Sequence, residues 1–186
     1  MKKVRNKYAL PDHLNKDDIK RMRKKLQMTQ KELAELLNVS VKTIENWEAN
    51  DRPITGPVVL LSRILLETPE MAEYYRIPEK TAPLRLKYYW YNTLCTVIDV
   101  NMIQRKVKIN NYTQNVLLCA FGGNQKPNYQ DYEEFLESRC FPETRDKMKI
   151  QLEELDIPYY DPLLIIEKTG GRVEGDPFRV EIERGI

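Results

Sequence analysis

The segment Thr29–Glu48 reads TQKELAELLNVSVKTIENWE, and its first half has the pattern of a short, well-capped helix. Thr29 followed by Glu32 is a capping box, in which a hydroxyl and a carboxylate each satisfy a free backbone N–H group at a helix start. Asn38 tolerates the left-handed conformation found at helix ends and is expected to terminate this helix. The buried face is predicted from apolar residues at i, i+3 and i+4 spacing: Leu33, Leu36 and Leu37.

The second half of the segment predicts another helix after a turn of about three residues. Ser40 is a favourable N-cap residue, and the helix that it begins extends over residues 40–49. Ile44 and Trp47, at i and i+3, give this second helix an inward face. Two short helices with this connection form a helix-turn-helix pattern.

The segment from Ile19 to Pro69 resembles the Cro/lambda-repressor-like DNA-binding domain, also called the xenobiotic-response-element type. The matching residues are Arg23, TQKELA at 29–34, NVS at 38–40, TIENWE at 43–48 and NDRP at 50–53. Within that family the segment looks most like antitoxin-type regulators, because GPVVLL follows at 56–61 and Pro-Glu at 69–70. The resemblance implies sequence-specific binding to duplex DNA.

Length and charge distribution add to this interpretation. A chain of 186 residues exceeds the common domain size, so we expect two domains. The predicted division is a flexible basic arm at 1–14, a helix-turn-helix domain at 15–76, a linker at 77–84 and a second domain at 85–186. The formal net charge is only +2, but basic residues crowd the start of the chain, where they would attract phosphates. They are Lys2, Lys3, Arg5, Lys7, Lys16, Lys20, Arg21, Arg23, Lys24, Lys25 and Lys31.

The second helix carries the predicted base-reading strip. Val41 and Ile44 are expected to point towards the core, which leaves Lys42, Thr43 and Asn46 exposed near the start of the helix. Lysine can donate to guanine O6 or N7, asparagine can bond adenine N6 and N7, and threonine can offer its methyl group to thymine. Ser40, the cap of this helix, and two expected phosphate contacts, Gln30 and Arg52, complete the set. The candidate DNA-binding residues are thus Gln30, Ser40, Lys42, Thr43, Asn46 and Arg52.

Three of the roles depend on the resemblance to the repressor family. Gln30 is at the first position of the helix that Thr29 caps. The resemblance implies that its side chain and the nearby backbone N–H groups hold the DNA backbone. Arg52 is expected to anchor phosphates after the second helix. In similar proteins, the arginine corresponding to Arg23 pairs with the glutamate that follows the tryptophan, here Glu48.

The helix expected after Gly56 and Pro57 is apolar on more than one face. One face would complete the core of the first domain. Another could contact a second subunit, since such domains usually bind two half-sites as a two-fold dimer, or could be covered by the second domain of the same chain. The residues concerned are Val58, Val59, Leu60, Leu61, Ile64, Leu65 and Leu66.

Beyond the linker the hydrophobic period changes, and the second domain is predicted to be α+β. Segments rich in Val, Ile and Tyr predict antiparallel strands at Leu86–Tyr91, Leu94–Val100 and Ile103–Ile109. Helical spacing returns later, and Asp161-Pro162 is a helix-start signal. The expected helices are Tyr129–Arg139, Glu143–Leu155 and Leu163–Lys168, followed by a strand at Phe178–Ile182. The whole chain is thus α+β, with an all-α five-helix domain followed by a small domain with an antiparallel sheet.

The C-terminal domain also shows a second resemblance. The run from Arg139 to Lys149, continued at Tyr160–Lys168, is similar to small proteins encoded beside HipA-like kinase toxins. This resemblance implies a partner-binding module, in which Arg139, Arg145 and Asp146 would either contact the partner or be exposed residues at a helix entry.

The remaining composition argues against several other classes. Cys95, Cys119 and Cys140 lack the paired spacing of a zinc site and are expected to be reduced thiols. The single histidine, His13, lies in the predicted terminal arm, which argues against a histidine-dependent triad, and a multi-histidine metal centre needs more than one histidine. No apolar run approaches the ~20 residues needed to cross a membrane, so a cytoplasmic protein without membrane contact is expected.

Two functional hypotheses follow from the sequence, and neither requires catalysis, a cofactor or a metal. The first is a transcriptional regulator of repressor or antitoxin type that binds operator duplex as a dimer. The alternative is an interaction protein whose domain at 85–186 binds or neutralises a HipA-like kinase toxin, with DNA binding serving only autoregulation.

Overall fold

A computed structural model of the chain describes residues 7–185, so the first six residues of the predicted basic arm lie outside the described part. The chain divides into two compact units, the first ending at Arg76 and the second beginning at Ile77. The α+β class is confirmed: an all-α unit is followed by a unit with an antiparallel sheet and helices.

Over its described residues, 7–76, the first unit contains five helices, as predicted. Their bounds are α1 Lys16–Lys25, α2 Gln30–Leu36, α3 Val41–Ala49, α4 Val58–Glu67 and α5 Glu70–Tyr74. The starts of α2 and α3 are fixed by the side chains that the sequence pattern indicates, and α1 starts after Asn15, a residue of the same capping type. Asn15 and Thr29 both form complete capping boxes, and Ser40 accepts the backbone N–H of Thr43 at 3.1 Å. Asn38 ends α2 with a left-handed φ of 53°, as expected.

The core of this unit lies among α1, α2 and α3, where Ile19, Met22, Leu33 and Ile44 are fully buried. Leu14 also belongs to this core although it was predicted in the basic arm. Its backbone exchanges two hydrogen bonds with Ile54, at 2.8 and 2.9 Å, which attaches the segment before α1 to the segment after α3.

Over residues 77–185, the second unit is built on a four-stranded sheet in which every pairing is antiparallel. The strands are β1 Leu84–Trp90, β2 Thr93–Asn101, β3 Lys106–Asn111 and β4 Phe178–Arg184, and their order across the sheet is β3-β2-β1-β4. The predicted meander is confirmed for β1 to β3. Leu84, placed at the end of the predicted linker, starts β1, whereas Ile103 lies in the β2–β3 turn and is almost fully exposed.

Among the described residues of this unit, three α-helices accompany the sheet: α6 Tyr129–Ser138, α7 Met148–Glu154 and α8 Pro162–Thr169. Helix α7 is shorter than the predicted Glu143–Leu155, because Lys147 has a left-handed φ of 64° and interrupts the helical backbone just before Met148. The main apolar core combines Leu86 and Ile98 of the sheet with Phe135 of α6 and Ile166 of α8.

A buried ion pair fixes the start of the second unit. Arg85 on β1 donates to both carboxylate oxygens of Asp99 on β2, at 2.6 and 2.7 Å. The same guanidinium donates to the backbone carbonyls of Pro78 and Glu79, at 2.8 and 3.2 Å. Part of the segment predicted as a linker is therefore bound to the sheet of the second unit.

Arg139 has a different role from the two expected. Its guanidinium is buried and donates to the carbonyl oxygen of Gly171 and to both carboxylate oxygens of Asp176. Arg139 therefore joins the end of α6 to the segment before β4, and its side chain is not exposed to a partner. Arg145 and Asp146 are exposed.

Candidate nucleic-acid interface

The exposed face of α3 presents a mixture of charged, amide and apolar side chains. Lys42, Glu45 and Asn46 lie on the side opposite Ile44, which is fully buried. The Lys42 ammonium is 3.1 Å from a carboxylate oxygen of Glu45, one helical turn away. Exposed pairs of this kind contribute only about 0–1 kcal/mol, so both side chains can be recruited by another partner.

The expectation that Val41 points into the core is wrong. The residue is 39% exposed and is absent from the apolar cluster that surrounds Ile44. Val41 is the first residue of α3, so its burial would require neighbouring residues to cover the helix start. Helical spacing from Ile44 predicts a direction around the axis, but it does not tell whether the core extends to that end of the helix.

Ser40 and Thr43 interact with each other at the start of α3. Their hydroxyl oxygens are 2.8 Å apart, and Thr43 is half-buried. These hydroxyls therefore help to fix the first turn of α3. A DNA contact by either residue stays a prediction.

A network of three side chains connects α1, α2 and α3 beside the exposed face. Arg23 donates to both carboxylate oxygens of Glu48, at 2.7 and 2.9 Å, which confirms the pairing that the family resemblance implied. Gln30 donates its side-chain amide to the same carboxylate at 2.9 Å. The hydrogen bond from Arg23 is the main cause that lowers the pKa of Glu48 below its usual value, and Gln30 adds to it.

This network orients Gln30, the predicted phosphate contact. An amide NH₂ group has two N–H bonds, so one hydrogen bond to Glu48 leaves a second donor for another acceptor. Because Glu48 is itself fixed by Arg23, the position of the Gln30 side chain depends on a residue of α1 and a residue of α3. Contact between Gln30 and a phosphate remains a prediction.

Lys20 is a residue of this region that sequence reasoning did not single out. Its positive charge contributes to the lowered pKa of Glu48, so its ammonium lies within electrostatic reach of the carboxylate. The sequence contained a signal for it, because Lys20 precedes Arg23 by three residues and therefore lies on the same side of α1.

Other members of the basic run at the start of the chain have acidic neighbours. Lys16 is 2.7 Å from Asp51, Arg21 is 2.7 Å from Asp18 and Lys31 is 4.0 Å from Glu35. All three pairs are at the surface, where the interaction is weak and screened by salt. The positive field of this unit is therefore smaller than the count of basic residues suggests.

Arg52 follows α3 and is exposed. A shallow cavity of about 440 Å³ lies beside it, between the last turn of α3 and the segment that follows. Asn50 closes the helix by donating both its backbone N–H and its side-chain amide to the carbonyl of Asn46. The cavity is lined by Asn46, Trp47, Asn50, Arg52, Pro53 and Ile54.

A separate apolar surface covers parts of α4 and α5. Leu60, Ile64, Met71 and Tyr75 are all exposed, while Val59 and Leu65 on α4 are buried in the core. A groove of about 420 Å³ runs beside three of these exposed residues, Ile64, Met71 and Tyr75. It is lined by Glu35, Leu36, Leu61, Ile64, Leu65, Met71 and Tyr75.

Within residues 7–185, no helix is both long and apolar enough to cross a membrane. Across the same residues, His, Cys, Asp and Glu side chains form no group of three or more that could hold a metal ion.

Comparison with known families agrees with the geometry of the first unit. A family model described as helix-turn-helix matches residues 19–61, which contain most of α1, all of α2 and α3, and the start of α4. No curated protein matches the chain. Residues 19–61 are thus a helix-turn-helix domain, the kind of domain that DNA-binding transcription regulators carry, and α2 and α3 are the first and second helices of its helix-turn-helix motif.

Proposed function

We propose that this protein is a transcriptional repressor that binds operator duplex DNA as a homodimer, with α3 in the major groove. The observation that carries this proposal is the exposed face of α3, supported by the Arg23–Glu48–Gln30 network within a helix-turn-helix domain. The second helix of such a motif enters the major groove and presents its N-terminal residues to base edges.

Base recognition is assigned to Lys42, Asn46 and Thr43. Lys42 would donate to guanine, and Asn46 would bond adenine through its side-chain amide. Glu45 adds an acceptor to the same face, where it could take a hydrogen bond from cytosine N4 while its ion partner Lys42 bonds guanine.

Phosphate contacts are assigned to residues on either side of α3. Gln30, held by Glu48, and Lys20, whose charge helps to lower the pKa of Glu48, would contact one stretch of the DNA backbone, together with Ser40 at the start of α3. Arg52 would contact another stretch after the end of α3. Such contacts fix the position of the protein on the duplex, while the base contacts provide selectivity.

Dimerisation is assigned to the apolar surface of α4 and α5. Contiguous exposed apolar patches on soluble domains often mark interaction sites, and the groove beside Ile64, Met71 and Tyr75 provides such a patch. A two-fold dimer would require an operator with two half-sites about 34–36 Å apart, or a multiple of that spacing.

Binding to the DNA upstream of the protein's own gene provides the direct test. A fluorescent fragment of that DNA would be titrated with protein against a scrambled competitor over a salt series. We expect selective binding that weakens with salt, because each phosphate contact releases a counterion. Equal affinity for the fragment and the scrambled sequence would contradict the proposal.

The base-reading residues can be tested in the same assay. Lys42→Ala and Asn46→Ala are each expected to lose about 1–3 kcal/mol of discrimination at one operator position. Lys149→Ala, which removes an exposed lysine from the second unit, is the control for the change in charge. Unchanged operator preference in both α3 variants would refute the assigned roles.

For the second unit we propose a protein-binding role of antitoxin type, with a HipA-like kinase as the candidate partner. Two exposed apolar side chains, Ile150 and Tyr159, lie in the chain between the two runs that carry this resemblance, and Arg145 and Asp146 of the first run are exposed as well. The test is co-purification with the product of an adjacent kinase-like gene, if one exists, comparing wild type with Ile150→Asp. Retention of the partner by this variant would count against the segment as the contact.

The proposed role includes no catalysis, and the proposed location is the cytoplasm. The expected result is that purified protein leaves operator DNA chemically unchanged in the presence of added divalent metal. Cleavage or modification of the DNA would contradict this part of the proposal.

A further inference from the structure

Val41 has a property that the folding of the first unit does not require. It is a large apolar residue, 39% exposed, at the first position of the proposed recognition helix. Its side chain does not join the apolar cluster of the unit, and the cap of the helix is provided by Ser40. A β-branched residue also has a lower helix propensity than alanine, so local helix stability does not favour valine here.

The position of Val41 is one from which base edges can be reached. The N-terminal residues of a recognition helix contact bases in the major groove, and Val41 directly precedes Lys42. It precedes Glu45 by four residues, so the two side chains are neighbours along one side of the helix. Val41 is therefore an apolar group beside the charged pair Lys42–Glu45 on the surface that would face DNA.

We propose that Val41 contacts the 5-methyl group of a pyrimidine in the major groove and thereby contributes to operator selectivity. This inference rests on the proposed operator binding. The thymine methyl is the apolar group that DNA presents in the major groove, and a methylated cytosine presents the same group at the same ring position. An isopropyl side chain has no hydrogen-bonding group, so an apolar contact is the interaction available to it.

The size of the effect follows from the burial of a methyl group. Removing one buried methyl group corresponds to about a fourfold change in affinity. This is smaller than the effect of a bidentate hydrogen bond, so Val41 would adjust the choice among similar operators that Lys42 and Asn46 already accept.

The test uses operator duplexes in which each thymidine is replaced in turn by deoxyuridine, which lacks only the 5-methyl group. Wild type is expected to bind about fourfold more weakly at one position in a half-site. Val41→Ala is expected to bind the unmodified operator more weakly by a similar factor and to lose the difference between thymine and uracil at that position. Val41→Thr, which keeps the branched shape and one methyl group, is expected to give an intermediate difference.

A matched control variant separates the effect of losing this contact from the effect of losing any exposed valine. Val173 in the second unit is 37% exposed, close to the value for Val41, and Val173→Ala should preserve the full thymine–uracil difference. Alanine favours helix formation more than valine, so Val41→Ala should keep α3 folded, which circular dichroism will verify.

Cytosine and 5-methylcytosine compared at each cytosine of a half-site test the second source of the methyl group, because this change leaves the hydrogen-bonding groups of the base pair intact. A thymine–uracil difference that Val41→Ala removes assigns thymine, and a gain on methylating one cytosine that Val41→Ala removes assigns methylated cytosine. If neither methyl group changes the binding of wild type, or if the difference is undiminished in Val41→Ala, the inference is overturned while the proposed function stands. Absence of any selective operator binding would overturn both.

Discussion

Two ion pairs of the same chemistry have different surroundings in the two units. In the first unit, Arg23 and Glu48 have side chains that are 23% and 6% exposed, and Glu48 also accepts a hydrogen bond from Gln30. In the second unit, Arg85 and Asp99 are 4% and 5% exposed, and Arg85 also donates to two backbone carbonyls. In both pairs the arginine donates to both carboxylate oxygens.

The additional partners show what each pair does. The first pair fixes a side chain, Gln30, beside the exposed face of α3, and its arginine also donates to the backbone carbonyl of Met28 at 3.4 Å. Through Gln30 this pair connects the fold to the proposed DNA contact. The second pair fixes a segment of backbone, at Pro78 and Glu79, to the sheet. A buried arginine–carboxylate pair is thus not by itself a sign of a binding site. The other hydrogen bonds of the pair show which part of the protein it holds in place.

The largest effect is expected from breaking the pair in the second unit. Asp99→Ala leaves the buried Arg85 charge without its partner, which should lower the free energy of unfolding by about 3–5 kcal/mol. Urea unfolding followed by Trp90 fluorescence, in a Trp47→Phe background, measures this unit because the chain has 2 tryptophans. The double variant Arg85→Met with Asp99→Leu is the control and should recover most of the stability. A loss below about 1 kcal/mol for Asp99→Ala would contradict the burial of this pair.

Breaking the pair in the first unit should have a smaller effect on stability and an additional effect on DNA. Glu48→Ala removes a charged acceptor of hydrogen bonds, so we expect a loss of about 1.5–3 kcal/mol. Arg23 is less deeply buried than Arg85 and can regain hydration, which limits the cost. Trp47 fluorescence in a Trp90→Phe background measures stability, and operator titration measures DNA affinity. Unchanged operator affinity would mean that Gln30 does not need Glu48 for its proposed role.

The pH dependence of stability distinguishes the contribution of Glu48 more finely. The pKa of Glu48 is lowered in the folded state, first by the hydrogen bond from Arg23. Above the ordinary pKa of 4.5, the ionised Glu48 therefore contributes its full stabilisation of the folded state. It is lost as the pH falls below 4.5 towards the lower folded-state pKa, because the carboxyl group then becomes protonated in the folded protein as well. Glu48→Gln should therefore flatten the decline in stability below that pH, measured by urea unfolding through Trp47. An identical pH profile in wild type and variant would refute this assignment.

The smallest effects are expected at two capping boxes, one in each unit. Thr29→Ala at α2 and Asn128→Ala at α6 each remove a side-chain cap and should cost about 1 kcal/mol. The tryptophan of the same unit reports each change. Serine at either position should retain most of the stability, since it is also a good cap. A cost above about 2 kcal/mol would indicate that the side chain has a role beyond the cap.

Helix starts with a side-chain cap could be predicted because their causes are local, whereas the start of α7, which has no side-chain cap, was placed too early. Asn15, Thr29, Ser40 and Asp161 each cap a helix through groups two or three residues away. The sheet was predicted less completely. The β1–β2–β3 meander follows from successive strands with turns between them, but the place of β4 beside β1 joins residues about a hundred positions apart, and no local pattern indicates it.

For the candidate site, the Arg23–Glu48 pair could be predicted only through the family resemblance. The pair joins residues 25 positions apart, and no local spacing rule connects them. Lys20 was included among the basic residues but was not assigned to the site, because its distance from Glu48 depends on how α1 packs against α3. The exposure of Val41 was missed because helical spacing does not tell where the core ends.

The sequence by itself determined the helix caps, the order of helices and strands, and the helix-turn-helix domain, because these depend on contacts within a few residues and on a specific pattern. Only the tertiary structure decided which charges are buried, as for Arg85 with Asp99 and Arg139 with Asp176. It also decided which side chains of α3 are exposed. The physical reason is that burial and ion pairing depend on which distant segments pack together, and many residues across each unit set that packing jointly.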